Sequence, residues 1–151
     1  MKLICRMGVL AGTFALLAAC SEPTAITGEE MDLELARRKW DARGVDDYRM
    51  QVRLTGAWFG GAAVIHVRNG VPVSVEPVGN QSGAGGLELW SYYDTVEELF
   101  AVLERAVEED AYRIDATYEG TYGLPVDVFV DLIENAVDDE HGFIVETFNE
   151  L

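Results

Sequence analysis

Few residues in this chain are of a type that could carry out covalent chemistry. His66 and His141 are its only histidines. A hydrolase needs such a base close to a nucleophile and oriented by a third group. Ser82 lies in Gly-Asn-Gln-Ser-Gly, which is not a G-x-S-x-G nucleophile elbow, and the chain has no H-E-x-x-H zinc motif. The sequence therefore predicts no catalytic residues, and the alternative is a hydrolase that uses His66 with a nearby carboxylate.

An acidic run near the C-terminus is the one candidate for binding a metal ion. Asp138, Asp139 and Glu140 are adjacent, and Asp131 precedes them in the chain. Calcium prefers six to eight oxygen ligands, which carboxylates supply. The spacing fits no EF-hand loop, and acidic residues in a turn are commonly just solvated. A calcium site at this turn is thus an alternative, and the sequence predicts no cofactor.

The first residues have the organisation of an export signal. Lys2 and Arg6 form a positive region, and the stretch from Met7 to Leu17 is apolar but too short to span a bilayer as a helix. Leu17-Ala18-Ala19-Cys20 follows, and it resembles the lipobox of bacterial lipoprotein precursors. The resemblance implies cleavage before Cys20 and acylation of Cys20 by fatty acids such as palmitate.

This signal divides the chain into three parts. We expect residues 1–19 to be a lipoprotein signal peptide, residues 20–28 a lipidated tether and residues 29–151 a single domain. Ser21 stands where an inner-membrane retention signal often has Asp. We therefore expect a lipid-anchored protein of the bacterial cell envelope, on the outer membrane and facing the periplasm.

Charge and cysteine content exclude several functions. The net charge is −16, with 27 acidic residues against 11 Lys and Arg, so no basic stripe is available for nucleic acid. The membrane contact must come from the lipid on Cys20, because an acidic chain is repelled by anionic headgroups. Cys5 would leave with the signal, which excludes disulfides, thiolate metal sites and cysteine nucleophiles in the mature chain.

Periodicity predicts two helices and six strands. Glu29–Arg43 reads as a helix, and Thr95 with Glu98 has the spacing of a capping box at the start of a second, amphipathic helix. Asn69-Gly70 is a strong hairpin signal between two alternating runs. The predicted strands are Tyr48–Thr55, Ala63–Arg68, Val71–Val75, Tyr112–Glu119, Val126–Leu132 and Phe143–Phe148.

The order of these elements predicts an α+β fold of two layers. The order is α-β-β-β-α-β-β-β, and short links between sequential strands favour an antiparallel sheet of about six strands with both helices on one face. The other face would stay open to a peptide or protein partner. The alternation places on it Arg49, Arg53, His66, Asp127 and Asp131.

One stretch, Gly79 to Tyr93, lacks regular periodicity and is rich in glycine, which predicts a mobile loop. It matches no phosphate-binding glycine motif. We expect Leu89 and Tyr92 to cover the core, while Trp90 either joins the core or lines a cleft. The candidate partner-binding residues are the aromatic side chains around the two glycine-rich segments: Trp58, Phe59, Trp90 and Tyr93.

A family resemblance covers most of the domain, from about Trp40 to Phe148. The residues that carry it are Trp40, Asp47-Tyr48, Val67–Val71, Thr95–Phe100, Tyr118, Tyr122–Pro125, Asp131 and Asp138–Glu140. In these residues and their order the chain resembles a bacterial family known as domain of unknown function 6174, whose members are often envelope lipoproteins. Many relatives carry cysteines after the first strand, where this chain has Trp58-Phe59-Gly60-Gly61. The resemblance implies no established reaction and no catalytic residues.

Two further hypotheses concern function. The first is a non-enzymatic envelope lipoprotein that binds a protein or peptide through the open sheet face or the Gly79–Tyr93 segment. The second is a purely structural or inhibitory module with a flat, complementary surface and no pocket. The missing catalytic residues and the expected lipid anchor favour the first.

Overall fold

The structure is a computed structural model that describes residues 28–56, 60–79 and 86–151. Its helices are α1 (Gly28–Arg43) and α2 (Val96–Glu108), and a 3-10 helix spans Gly86–Tyr92. The strands are β1 (Tyr48–Gly56), β2 (Gly61–Arg68), β3 (Val71–Val78), β4 (Arg113–Tyr118), β5 (Pro125–Asp131) and β6 (His141–Glu150).

The six strands form one antiparallel sheet in the order β3-β2-β1-β6-β5-β4. Each half of the chain contributes three strands that pair in sequence, and β6 joins the halves by pairing with β1. The α+β fold predicted from the order of elements is confirmed, including its six antiparallel strands and two helices.

The core lies between the helices and one face of the sheet. Alternate residues of β1, from Tyr48 to Leu54, are buried, as the period of two in a strand requires. Helix α1 buries Leu33, Ala36 and Trp40 against this face. Helix α2 adds a broader apolar stripe and shares one buried cluster with α1 and the sheet. The stripe consists of Val96, Leu99, Phe100, Val102, Leu103 and Ala106.

The start of α2 is held by a cap and by the sheet. Thr95 is extended at φ −136° and ψ 161°, and its Oγ1 accepts a hydrogen bond from the Glu98 N–H at 3.1 Å, as the capping spacing predicts. The Val96 N–H donates to the Tyr48 hydroxyl at 2.9 Å, and this bond is buried. Two backbone donors of the first helical turn, which have no partner within a helix, are thereby satisfied.

An aromatic cluster connects α1 to the middle of the sheet. Trp40 makes edge contacts at 5.8 Å between ring centroids with both Tyr48 and Phe148, and Tyr122 packs on Phe148 at 5.1 Å. The Trp40 Nε1–H donates to the Glu97 carboxylate at 2.9 Å. The cluster thus ties α1, α2, β1, β6 and the β4–β5 turn together.

Two local predictions were wrong. The Gly79–Tyr93 segment contains the 3-10 helix, so it is not irregular throughout. Tyr92 does not cover the core: it is 51% exposed and packs beneath the Arg105 guanidinium, although Leu89 does pack against the core. In a 3-10 helix, residues three apart share a face. Trp90 and the following Tyr93 therefore point inward together, and Tyr92 lies on the face that it shares with Leu89, which is only partly buried.

The hairpin at Asn69-Gly70 forms as predicted, with φ of 51° and 72° at its two residues. A register shift at His66/Val67 then changes the pairing, so that His66 lies opposite Ser74. As a result Val73 does not share the buried face with Val75, and it is exposed.

Replacing Tyr48 with Phe should destabilise the protein by about 1–3 kcal/mol, because the buried Val96 N–H would lose its acceptor. Urea unfolding followed by circular dichroism measures this change. Tyr112→Phe is the matched control, since Tyr112 is exposed and its hydroxyl has no partner within the described residues; we expect it to change stability by less than about 0.5 kcal/mol. Equal stability of the Tyr48→Phe variant and the parent would contradict the assigned role of the bond.

Two buried phenols, Tyr48 and Tyr93, and the half-buried phenol of Tyr118 should make the protein sensitive to alkali. Burial raises the pKa of Tyr48, and burial with the Asp32 carboxylate raises the pKa of Tyr118 to about 12. Burial also raises the pKa of Tyr93, although Arg105 opposes it. A raised pKa means that the folded state favours the neutral phenol, so the stabilisation is complete below the unfolded pKa of about 10.

We therefore expect the free energy of unfolding to fall as the pH rises from about 10 to about 12. Denaturant titrations across this range measure the slope. Tyr118→Phe should show a shallower fall than the parent, because one group with a raised pKa is removed.

Candidate functional site

Polar side chains converge on the face of the sheet opposite the helices. Arg49 and Arg53 alternate with the buried residues of β1, so they point away from the core. Arg49 lies opposite His66, and Arg53 and Asp127 both lie opposite Ile144. The register thus places the five predicted residues on this uncovered face, with Asp131 opposite Arg113 at its end.

An ion pair between Arg53 and Glu146 lies at the centre of the face. The Arg53 Nε lies 2.6 Å from the Glu146 carboxylate, and the Gln51 amide also donates to it. The hydrogen bonds from Arg53 and then Gln51 lower the pKa of Glu146. Glu146 occupies the irregular register between β1 and β6. Because Arg53 already pairs with Glu146, it has little capacity to bind another anion.

Beside this pair runs a line of four polar side chains, which we call the polar row: Ser74, His66, Arg49 and Asn149. They lie opposite one another on β3, β2, β1 and β6. Within the described part of the chain, neither the His66 imidazole nor the Arg49 guanidinium has a hydrogen-bond or ion-pair partner. The row can therefore donate hydrogen bonds to an anionic group placed over it.

The neighbours of His66 can be compared with those that the hydrolase alternative requires. A general base must lie within hydrogen-bond reach of its partner groups. Among residues 28–56, 60–79 and 86–151, no carboxylate is hydrogen bonded to His66, whose cross-strand neighbours are Arg49 and Ser74. Catalysis by His66 stays a hypothesis that would need a carboxylate from elsewhere.

The second histidine lies in a cleft of about 280 Å³ between the 3-10 helix, the end of α2 and the start of β6. Its walls include Tyr93, Arg105, Glu109 and His141. The His141 Nδ1 is 3.3 Å from the Asp139 carbonyl oxygen. Arg105 is partly occupied, since it stacks on Tyr92 at 5.6 Å, and so this cleft offers fewer free donors than the polar row.

The acidic turn is organised by its own backbone. The Asp139 Oδ2 accepts from the Ile133 N–H at 2.8 Å, which closes the β5–β6 loop. Asp138 has a positive φ of 71°. Within the part of the chain that the structure describes, no group of three or more acidic, His or Cys side chains is arranged to hold a metal ion. Calcium binding by Asp138, Asp139 and Glu140 stays a prediction.

Of the predicted partner-binding and lipidation residues, Cys20, Trp58 and Phe59 lie outside the described residues. Trp90 and Tyr93 are 4% and 6% exposed, so they belong to the core in this conformation. Tyr93 packs edge-on against Phe143 at 6.0 Å, although one side of it lines the cleft. Neither side chain is presented to a partner as an exposed anchor.

Sequence reasoning missed two members of the polar row. A regular hairpin at Asn69-Gly70 would have placed Val73 opposite His66, and only the register shift brings Ser74 there. The position of Asn149 in the polar row depends on the pairing of β1 with β6, which is distant in sequence. A local pattern carries no signal for either contact.

The fold defines a class of protein: a two-layer α+β domain in which both helices cover one face of the sheet and, among the described residues, no helix covers the other. A family model described as a family of unknown function, DUF6174, matches residues 32–150, and the chain belongs to this family. Neither the curated proteins nor the solved structures contain a match to the chain. In the described residues, neither helix has the length and apolar character needed to cross a membrane.

Proposed function

We propose that this protein is a non-enzymatic lipoprotein of the bacterial cell envelope, and that its domain binds an envelope protein or peptide through the uncovered sheet face. The lipobox Leu17–Cys20 supports the anchor. The polar row supports the binding role. The partner group that suits this row is a carboxylate, from an acidic side chain or from a chain terminus.

One observation carries the binding proposal: in a strongly acidic chain, Arg49 has no hydrogen-bond or ion-pair partner among the residues that the structure describes. Carboxylates outnumber Lys and Arg by 27 to 11, so an unpaired cation is unexpected. Every other Lys or Arg in the described residues has an ion pair, a hydrogen bond or a ring contact; these residues are Arg37, Arg38, Lys39, Arg43, Arg53, Arg68, Arg105 and Arg113. Arg49 is therefore available for a carboxylate from another molecule.

The chemistry of the row favours a carboxylate over other groups. A guanidinium binds a carboxylate with two parallel hydrogen bonds, which gives both energy and orientation. The His66 imidazole and the Asn149 amide flank it, and the Ser74 hydroxyl lies beyond His66; all three can donate further bonds. The flat sheet around the row lets an extended segment lie across several strands.

The tether keeps this face close to the membrane. Helix α1 begins at Gly28, eight residues after Cys20. An extended chain of that length reaches roughly 25–30 Å. Acyl chains contribute about 0.8 kcal/mol per buried CH₂, so several of them together anchor the protein stably.

Replacing Arg49 with Ala should weaken partner capture by roughly tenfold or more, because a charge-assisted hydrogen bond contributes about 1.5–3 kcal/mol. Crosslinking in intact cells, followed by quantitative mass spectrometry of the captured proteins, measures this loss. Arg38→Ala on the exposed side of α1 is the matched control and should capture the parent set. Unchanged capture by the Arg49→Ala variant would overturn the role of the polar row.

Replacing Cys20 with Ser should abolish acylation, since the hydroxyl of serine does not form the thioether that holds the lipid. We expect the variant to leave the membrane fraction or to keep its signal peptide. Fractionation with metabolic fatty-acid labelling measures both. Cys5→Ser, inside the signal, should leave the anchor intact; labelled, membrane-bound protein from the Cys20→Ser variant would exclude the lipid anchor.

A further inference from the structure

The two edges of the sheet differ in how they are protected against pairing with another chain. Edge strands carry unpaired backbone groups, and proteins protect them with proline or bulges. β3 contains Pro72 and Pro77 and an irregular register opposite β2. β4 contains neither proline nor glycine, and in its pairing with β5 the extra residue, Val126, lies on β5 and not on the edge strand. Among the described residues no strand pairs with the outer side of β4, so this edge is open to a partner strand.

The backbone direction of β4 is set by one hydrogen bond. The Tyr112 N–H donates to the Leu132 carbonyl at 3.2 Å, so the residue just before β4 bonds toward β5. In an antiparallel pair these bonds involve alternate residues. The N–H and C=O groups of Arg113, Asp115 and Thr117 therefore point away from β5, to the free edge.

We propose that β4 pairs antiparallel with β4 of a second copy of this chain, centred on Ile114. In this register Arg113 of each copy lies opposite Asp115 of the other, which places two opposite-charge pairs on the uncovered face. The two side chains are 60% and 54% exposed, and they lie 2.6 Å apart within one chain, so they can join a four-charge network.

The neighbouring registers fit less well. Centring the pair on Asp115 puts two carboxylates directly opposite each other, which is unfavourable. Centring it on Ala116 requires the backbone of Glu119, whose N–H and C=O are already bonded to Leu124 and Gly123 in the β4–β5 turn. The charges and the free backbone hydrogen-bonding groups together favour the register centred on Ile114.

The symmetry of this pair has a consequence for the surfaces. Two antiparallel strands in one sheet are related by a two-fold axis perpendicular to the sheet. Both helix layers then lie on one side and both polar rows on the other. The dimer presents two binding faces in the same direction, although its formation does not depend on what those faces bind.

Cysteine crosslinking in intact cells tests the dimer and its register with the full chain. Because Ile114 would be a non-hydrogen-bonded pair with Cα atoms about 4.5 Å apart, Ile114→Cys should form an intermolecular disulfide under mild oxidation. Ala116→Cys, about 13 Å from its symmetry mate, and Val73→Cys on the protected edge should stay monomeric on a non-reducing gel, as should the parent chain.

Charge exchange provides the decisive comparison. In the Ile114→Cys background, Asp115→Arg or Arg113→Asp alone should lower the yield of dimer several-fold, and the two together should restore it. Two tagged chains carrying Arg113→Cys and Asp115→Cys give a second measurement at exposed positions that do not disturb the core. Absence of disulfide in both experiments, equal yield at Ala116→Cys, or failure of the double exchange to restore dimer would overturn the proposal.

Discussion

The pairing of β1 with β6 is the constraint on which the rest of the domain depends. All other strand pairings join neighbours within one half of the chain, and this one joins the halves into a single sheet. It places Phe148 beside Tyr48, and the Tyr48 hydroxyl then fixes the first turn of α2. Without it, two three-stranded pieces would each expose apolar surface that only the full sheet and both helices can cover.

The same constraint creates the candidate binding surface. Because both helices cover one face, the opposite face of all six strands remains available for polar side chains. Bringing β6 beside β1 sets Glu146 against Arg53 and Asn149 against Arg49. Arg53 is thereby neutralised, and Arg49, four residues away on the same strand, has no ion-pair partner among the described residues. The difference between the two follows from the position of a single irregularity in the β1–β6 register.

Sequence patterns predicted what is local. The helices, the Thr95 cap and the Asn69-Gly70 hairpin follow from apolar spacing and turn chemistry, which act over a few residues. These rules do not predict register shifts, because the alternation of buried and exposed residues looks regular on each side of an irregularity. The inward position of Trp90 depends on a 3-10 helix that the glycine-rich sequence does not predict. The location of Asn149 depends on a partner strand almost a hundred positions earlier.

Placing β6 in the interior of the sheet has a consequence for biosynthesis. β6 is synthesised after the other five strands, and the Leu151 N–H bonds back to the Asp47 carbonyl. A ribosome must therefore extend the chain through β6 before β1 and β5 can be bridged. Until then the nascent polypeptide has two separate groups of strands and no complete sheet. A chain cut before His141 would lose a central element of the sheet and not an edge.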